Sequence, residues 1–142
     1  MQPDNLRPIS FHLSAEPREA KGFRFTEWRI TDLAPHPEGP ETLWLQLGMT
    51  ERAAYRFNLS SGTPRLFVRA GFAGGPVEPT AITASQEVAA AWMDGEQQVL
   101  EADMPLTIQM WLEAYLARHG EAPVEGRKQR REGPGRTRED MA

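Results

Sequence analysis

Leu43, Leu45 and Leu47 alternate with Trp44 and Gln46, and this two-residue apolar period, repeated in short blocks cut apart by Gly and Pro, limits what the chain can become. Successive side chains of a strand point to opposite faces, so each block makes a half-buried strand with one apolar side. The period recurs over residues 9–13, where Ile9, Phe11 and Leu13 share a face and His12 points away, and again over 54–59 and 66–70. Within 23–30 the apolar parity changes from Phe23 and Phe25 to Trp28 and Ile30, which predicts a β-bulge or bend. Residues 34–40 hold Pro35, Pro37, Gly39 and Pro40 and form a loop.

Ser60-Ser61-Gly62-Thr63-Pro64 is turn chemistry, so 54–59 and 66–70 read as a hairpin in a meander. Gly74-Gly75-Pro76 makes a second turn, and 77–84 reads as an edge strand because Pro79 has no N–H to donate. Ser85 can cap a short helix through Trp92, with Glu87 near its positive end and Gly95 to stop it. Residues 97–102 return as a strand. Over 105–119 Pro105 suits the first helical position and Gly120 the C-cap, while Ile108, Trp111, Leu112, Tyr115 and Leu116 form one stripe. Burying that stripe contributes about 1.5–3 kcal/mol per large side chain.

The fold class that follows is α+β: a mainly antiparallel β barrel or small sandwich of about six or seven strands, with a C-terminal α-helix packed on it. Residues 1–120 form a single β-rich domain, and residues 121–142, rich in Pro, Gly, Glu and Arg, form a disordered basic tail. The chain contains no cysteine, which removes disulfides, thiolate metal sites and Cys nucleophiles from consideration. Its start lacks a secretory signal and no apolar run reaches the ~20 residues of a membrane span, so a cytoplasmic location is expected. The net charge of −4 disfavours a nucleic-acid-binding body, since phosphate recognition needs a basic face.

No catalytic motif is present. His12, His36 and His119 lack metal-ligand spacing, no Gly-x-Ser-x-Gly elbow occurs, and Gly71-Phe72-Ala73-Gly74-Gly75 runs into Pro rather than into a helix that would grip phosphate. No metal and no cofactor is expected. Arg24, Arg29, Arg52, Arg56, Arg65 and Arg69 lie in or beside expected strands, where same-face neighbours make cross-strand salt bridges or an anion- or protein-binding patch. Trp28 and Trp44, with Tyr55, are candidate interface aromatics. Arg127, Lys128, Arg130 and Arg131 form a compact basic cluster suited to an acidic partner surface, RNA or anionic lipid.

The run Phe25-Thr26-Glu27-Trp28-Arg29-Ile30-Thr31-Asp32-Leu33-Ala34-Pro35, then Tyr55-Arg56-Phe57-Asn58-Leu59-Ser60, then Pro64-Arg65-Leu66-Phe67-Val68 and a Met-Pro helix before a basic end, resembles an uncharacterised proteobacterial family of unknown function. Its members are commonly encoded beside molybdenum-containing formate dehydrogenases and their maturation proteins. The resemblance implies an accessory role in that pathway. The expected function is therefore a non-catalytic protein-binding module that assists assembly or maturation of a formate dehydrogenase, through Trp28, Arg29, Trp44, Tyr55 and Arg56, with a protein partner that is the dehydrogenase or a maturation factor. The alternative is a small binder or enzyme acting on an anionic, phosphate-bearing ligand such as a molybdenum cofactor precursor. RNA binding through the tail ranks last.

Overall fold

The computed structural model describes residues 4–122. The elements run β1 (Leu6–Ala20), β2 (Phe23–Ala34), β3 (Glu41–Gln46), a 3-10 turn (Met49–Glu51), α1 (Arg52–Leu59), β4 (Arg65–Phe72), β5 (Ala81–Thr83), α2 (Gln86–Asp94), β6 (Gln97–Asp103) and α3 (Leu106–His119). The strands form two three-stranded antiparallel sheets, ordered β2-β1-β3 and β5-β4-β6. β3 runs beside β5 and β2 beside β6, without hydrogen-bonded closure, so of the two expected architectures the open sandwich is the one formed and the barrel is not. Nor is the order a meander, because β3 pairs with the far side of β1.

The alternating blocks at 9–13, 43–47 and 66–70 face inward as their period requires. Ile9, Phe11 and Leu45 from the first sheet meet Leu66, Val68 and Ile82 from the second, and Ile108, Leu112, Tyr115 and Leu116 of α3 complete the core. Trp111, the fifth member of the expected stripe, sits at its margin, where its indole N–H donates to the Asp4 carbonyl (2.7 Å) and the Arg7 guanidinium lies 5.1 Å from its ring centre. Ser85 caps α2 as expected, its Oγ accepting from the Val88 N–H at 3.2 Å.

Residues 54–59 are not a strand. They form α1, because Ala54, Tyr55 and Asn58 also satisfy a helical spacing and it is this set that is buried. Phe57, in the middle of the apparent alternation, is left 66% exposed. The Asn58 carboxamide, 4% exposed, then ties the helix to the second sheet. Its Nδ2 donates to the carbonyls of Arg65 and Ala84, each at 2.8 Å, and its Oδ1 accepts from the Arg65 N–H at 2.9 Å. The expected strand at 77–84 shrinks to Ala81–Thr83. Pro79 lies outside it, in the approach where the Thr80 N–H donates to Arg69 O.

The irregularity expected within 23–30 also lies elsewhere. Pairing is continuous from His12↔Thr31 to Ala20↔Phe23, and the register shifts only between Ser10 and His12, where β2 carries the extra residue and Asp32 adopts φ +56. The parity change at Trp28 is instead a change in which face of the strand is apolar. The Pro-rich loop closes over the first sheet at Ser10, whose Oγ donates to His36 O at 2.6 Å and shares a 2.9 Å bond with Thr42 Oγ1. Gly39 is required there, since a Cβ would come within 2.6 Å of the Ser10 Cβ.

Candidate functional site

The feature that stands apart from the core is the distal part of the β1–β2 hairpin. Lys21 (φ +52) and Gly22 (φ +82) make the two-residue turn of type I′ that suits the strand twist. From Ala15↔Trp28 to Ala20↔Phe23 the pairing is unbroken, an arm of roughly 20 Å at ~3.4 Å per residue. Both of its faces are largely open: Phe23 is 75%, Phe25 51% and Trp28 37% exposed.

Directly opposite residues share a face. Phe23, Phe25, Glu27 and Arg29 therefore lie on the outer face with Ala20, Arg18, Glu16 and Ser14, whereas Trp28 and Ile30 continue the core-facing side of Ala15 and Leu13. Glu16 and Glu27 face each other, a repulsive pair that Arg18 resolves: its Nε donates to Glu27 at 2.6 Å and its Nη2 to Glu16 at 2.8 Å. The hydrogen bond from Arg18 holds the Glu27 carboxyl below the usual range, and Glu27 in turn raises the Arg18 guanidinium. A shallow depression of about 440 Å³, lined by Pro17, Arg18, Glu19, Arg24, Phe25 and Thr26, runs along the arm.

The five expected binding residues do not form one patch. Trp28 and Arg29 lie on opposite faces of the arm, and Trp44, 51% exposed, lies on the outer face of β3 opposite Pro8. Tyr55 is 2% exposed, packs edge-on to Tyr115 with ring centres 6.3 Å apart, and its hydroxyl oxygen accepts from the Gly48 N–H at 2.9 Å. Burial pushes its pKa up to about 12. Arg56 is at the far end of α1, where it donates to Glu113 and Glu121, each at 2.8 Å through Nη2, and these bonds lower both carboxyl pKa values. Arg127, Lys128, Arg130 and Arg131 lie outside the described residues, as does most of the expected disordered tail.

Arg52, Arg65 and Arg69 serve the fold. Arg52 Nη1 donates to the carbonyls of His119 and Gly120, closing the C-terminus of α3, Arg65 pairs with Asp103 at 3.5 Å, and Arg69 lies 5.3 Å from the Trp92 ring centre. Among the described residues no group of three or more His, Asp or Glu side chains is placed to hold a metal ion, and no helix is long and apolar enough to cross a membrane.

The parity at Phe23 and Phe25 points only to a bulge or bend and does not identify the two rings as surface residues. A signal was present: the strands flanking Lys21-Gly22 carry Glu16, Arg18, Glu19, Arg24 and Glu27, which charge both faces of the pair and keep it out of a core.

Two stacked three-stranded antiparallel sheets, a C-terminal helix and a projecting aromatic arm define a small α+β domain. One family model, described as a protein of unknown function (DUF3305), matches residues 26–131, and the chain belongs to that family. This agrees with the uncharacterised family expected from the Trp-Arg and Tyr-Arg segments. No curated protein and no solved structure matches the chain.

Proposed function

We propose that this protein is a non-catalytic binding module whose contact surface is the β1–β2 arm, and that its partner is a formate dehydrogenase or one of its maturation factors. The observation that carries the reading is the exposure of Phe23, Phe25 and Trp28 on an element that extends beyond the core. Exposing large aromatic rings is unfavourable in water, and aromatic residues are enriched where protein partners desolvate them. The partner's identity rests on the family resemblance described above.

The alternative, an anion-binding domain, draws its support from Arg18 and Arg24 in the depression along the arm. Arg18 is already neutralised there by two carboxylates, which favours the protein-binding reading.

Replacing Phe25 with a photo-crosslinking phenylalanine analogue in the native host tests the assignment of the surface. A covalent adduct with a dehydrogenase subunit or a maturation factor is expected; illumination that yields no adduct with either would contradict it.

A further inference from the structure

We propose that two copies of this chain pair through the outer edge of β2, arm against arm, in an antiparallel register centred on Thr26. The inference does not rest on the partner proposed above, because strand pairing is set by the backbone edge of β2 and the side chains that flank it.

β2 is the outermost strand of its sheet, and its twelve residues contain neither Pro nor Lys. Long regular edges present unpaired N–H and C=O groups, and proteins that keep such an edge single usually blunt it with Pro, Lys or a bulge. Here the irregularity, at Asp32, sits at the base and leaves 23–29 regular. Phe23, Arg24, Phe25, Thr26, Trp28 and Arg29 are all exposed.

Outward-pointing backbone groups recur at every second residue, so a two-fold antiparallel pair must be centred on a residue. Charge separates the possible centres. Centring on Arg24 or Glu27 sets a charge against its own copy, and centring on Phe25 sets Lys21 against Arg29. Centring on Trp28 carries the tip past the irregular Asp32 to the half-buried Leu33. Centring on Thr26 matches the exposed stretch end to end and opposes Arg24 to Trp28 and Phe23 to Arg29 of the second copy, two cation–aromatic pairs. Phe25 then faces Glu27, which keeps its own Arg18. The guanidinium groups of Arg24 and Arg29 make no side-chain hydrogen bond or ion pair with any other described residue, so neither gives up such a bond on pairing.

The absence of cysteine makes the test clean. Opposed Cα atoms of an antiparallel pair lie about 4.5–5.5 Å apart, within disulfide reach. Full-length Thr26→Cys is therefore expected to form a disulfide dimer in a mild glutathione redox buffer. Trp28→Cys, displaced from its copy by about 13 Å along the strand, is expected to stay monomeric. Wild-type chain should show concentration-dependent dimer in sedimentation equilibrium. Thr26→Cys that stays monomeric, Trp28→Cys that links as readily, or wild-type chain that sediments as a monomer throughout would each overturn the proposal.

Discussion

The Asn58 side chain completes the backbone of Arg65: its Oδ1 accepts from the Arg65 N–H at 2.9 Å while its Nδ2 donates to the Arg65 carbonyl at 2.8 Å. A helix side chain thereby takes the place of a neighbouring strand at the start of β4. A third bond, to Ala84 O, fastens the same carboxamide to the end of β5. Replacing Asn58 with Ala leaves one N–H and two carbonyls in search of partners, and a loss of about 3 kcal/mol is expected from urea unfolding. Asn58→Asp should cost at least as much, since it turns two donor contacts into oxygen–oxygen repulsion.

Tyr55 should titrate late. Burial raises its phenol to about 12, against an ordinary value of 10.0. A group with a raised folded pKa contributes stability that is intact below the unfolded value and lost as pH rises from the one toward the other. Phenolate absorbance should therefore show one of the two tyrosines ionising only near pH 12 or on unfolding. Tyr55→Phe removes the acceptor for the Gly48 N–H and should lower stability by about 1 kcal/mol at neutral pH.

These two residues also mark the limits of what the sequence discloses. The strands expected around 9–13, 43–47 and 66–70, the Ser85 cap and the stripe of α3 are local patterns, and each appears where the residues indicate. Tyr55, Phe57 and Leu59 satisfy period two while Ala54, Tyr55 and Asn58 satisfy the helix, and eight residues cannot separate the two. What decides is the distant fit of Asn58 to Arg65 and Ala84, which is tertiary. Arg56 was placed on a strand surface for the same reason, and its partners Glu113 and Glu121 are far away in sequence. Only the β2 half of the arm was legible as a strand: the strand expected at 9–13 stops short of 15–20, which lacks a two-residue apolar period, and alternation does not report whether anything packs on a face.

The Arg56 triad should be sensitive to acid and salt. Its bonds hold Glu113 and Glu121 below the usual carboxylate range, so its contribution is present above the unfolded glutamate pKa and disappears as pH falls through the depressed values. All three groups are solvent-accessible, and the effect is small. The difference in urea midpoint between wild type and Arg56→Leu should shrink at high salt and vanish in strong acid.

Truncating the aromatic residues of the arm should leave the fold intact. Phe23 and Phe25 are mostly exposed, and Phe23→Ser with Phe25→Ser is expected to change unfolding free energy by no more than about 1 kcal/mol. By contrast Leu112→Ala, fully buried in α3, should cost about 2–5 kcal/mol. Thermal melts of the three proteins side by side give the comparison.

The most direct measurement of the binding role is affinity purification of the tagged chain from its native host under formate-oxidising growth, with Phe23→Ser/Phe25→Ser/Trp28→Ser run in parallel. The account predicts that the wild-type chain retains a formate dehydrogenase subunit or a maturation factor and that the folded triple variant loses it. Recovery of neither from the wild type, or equal recovery by the variant, would contradict it.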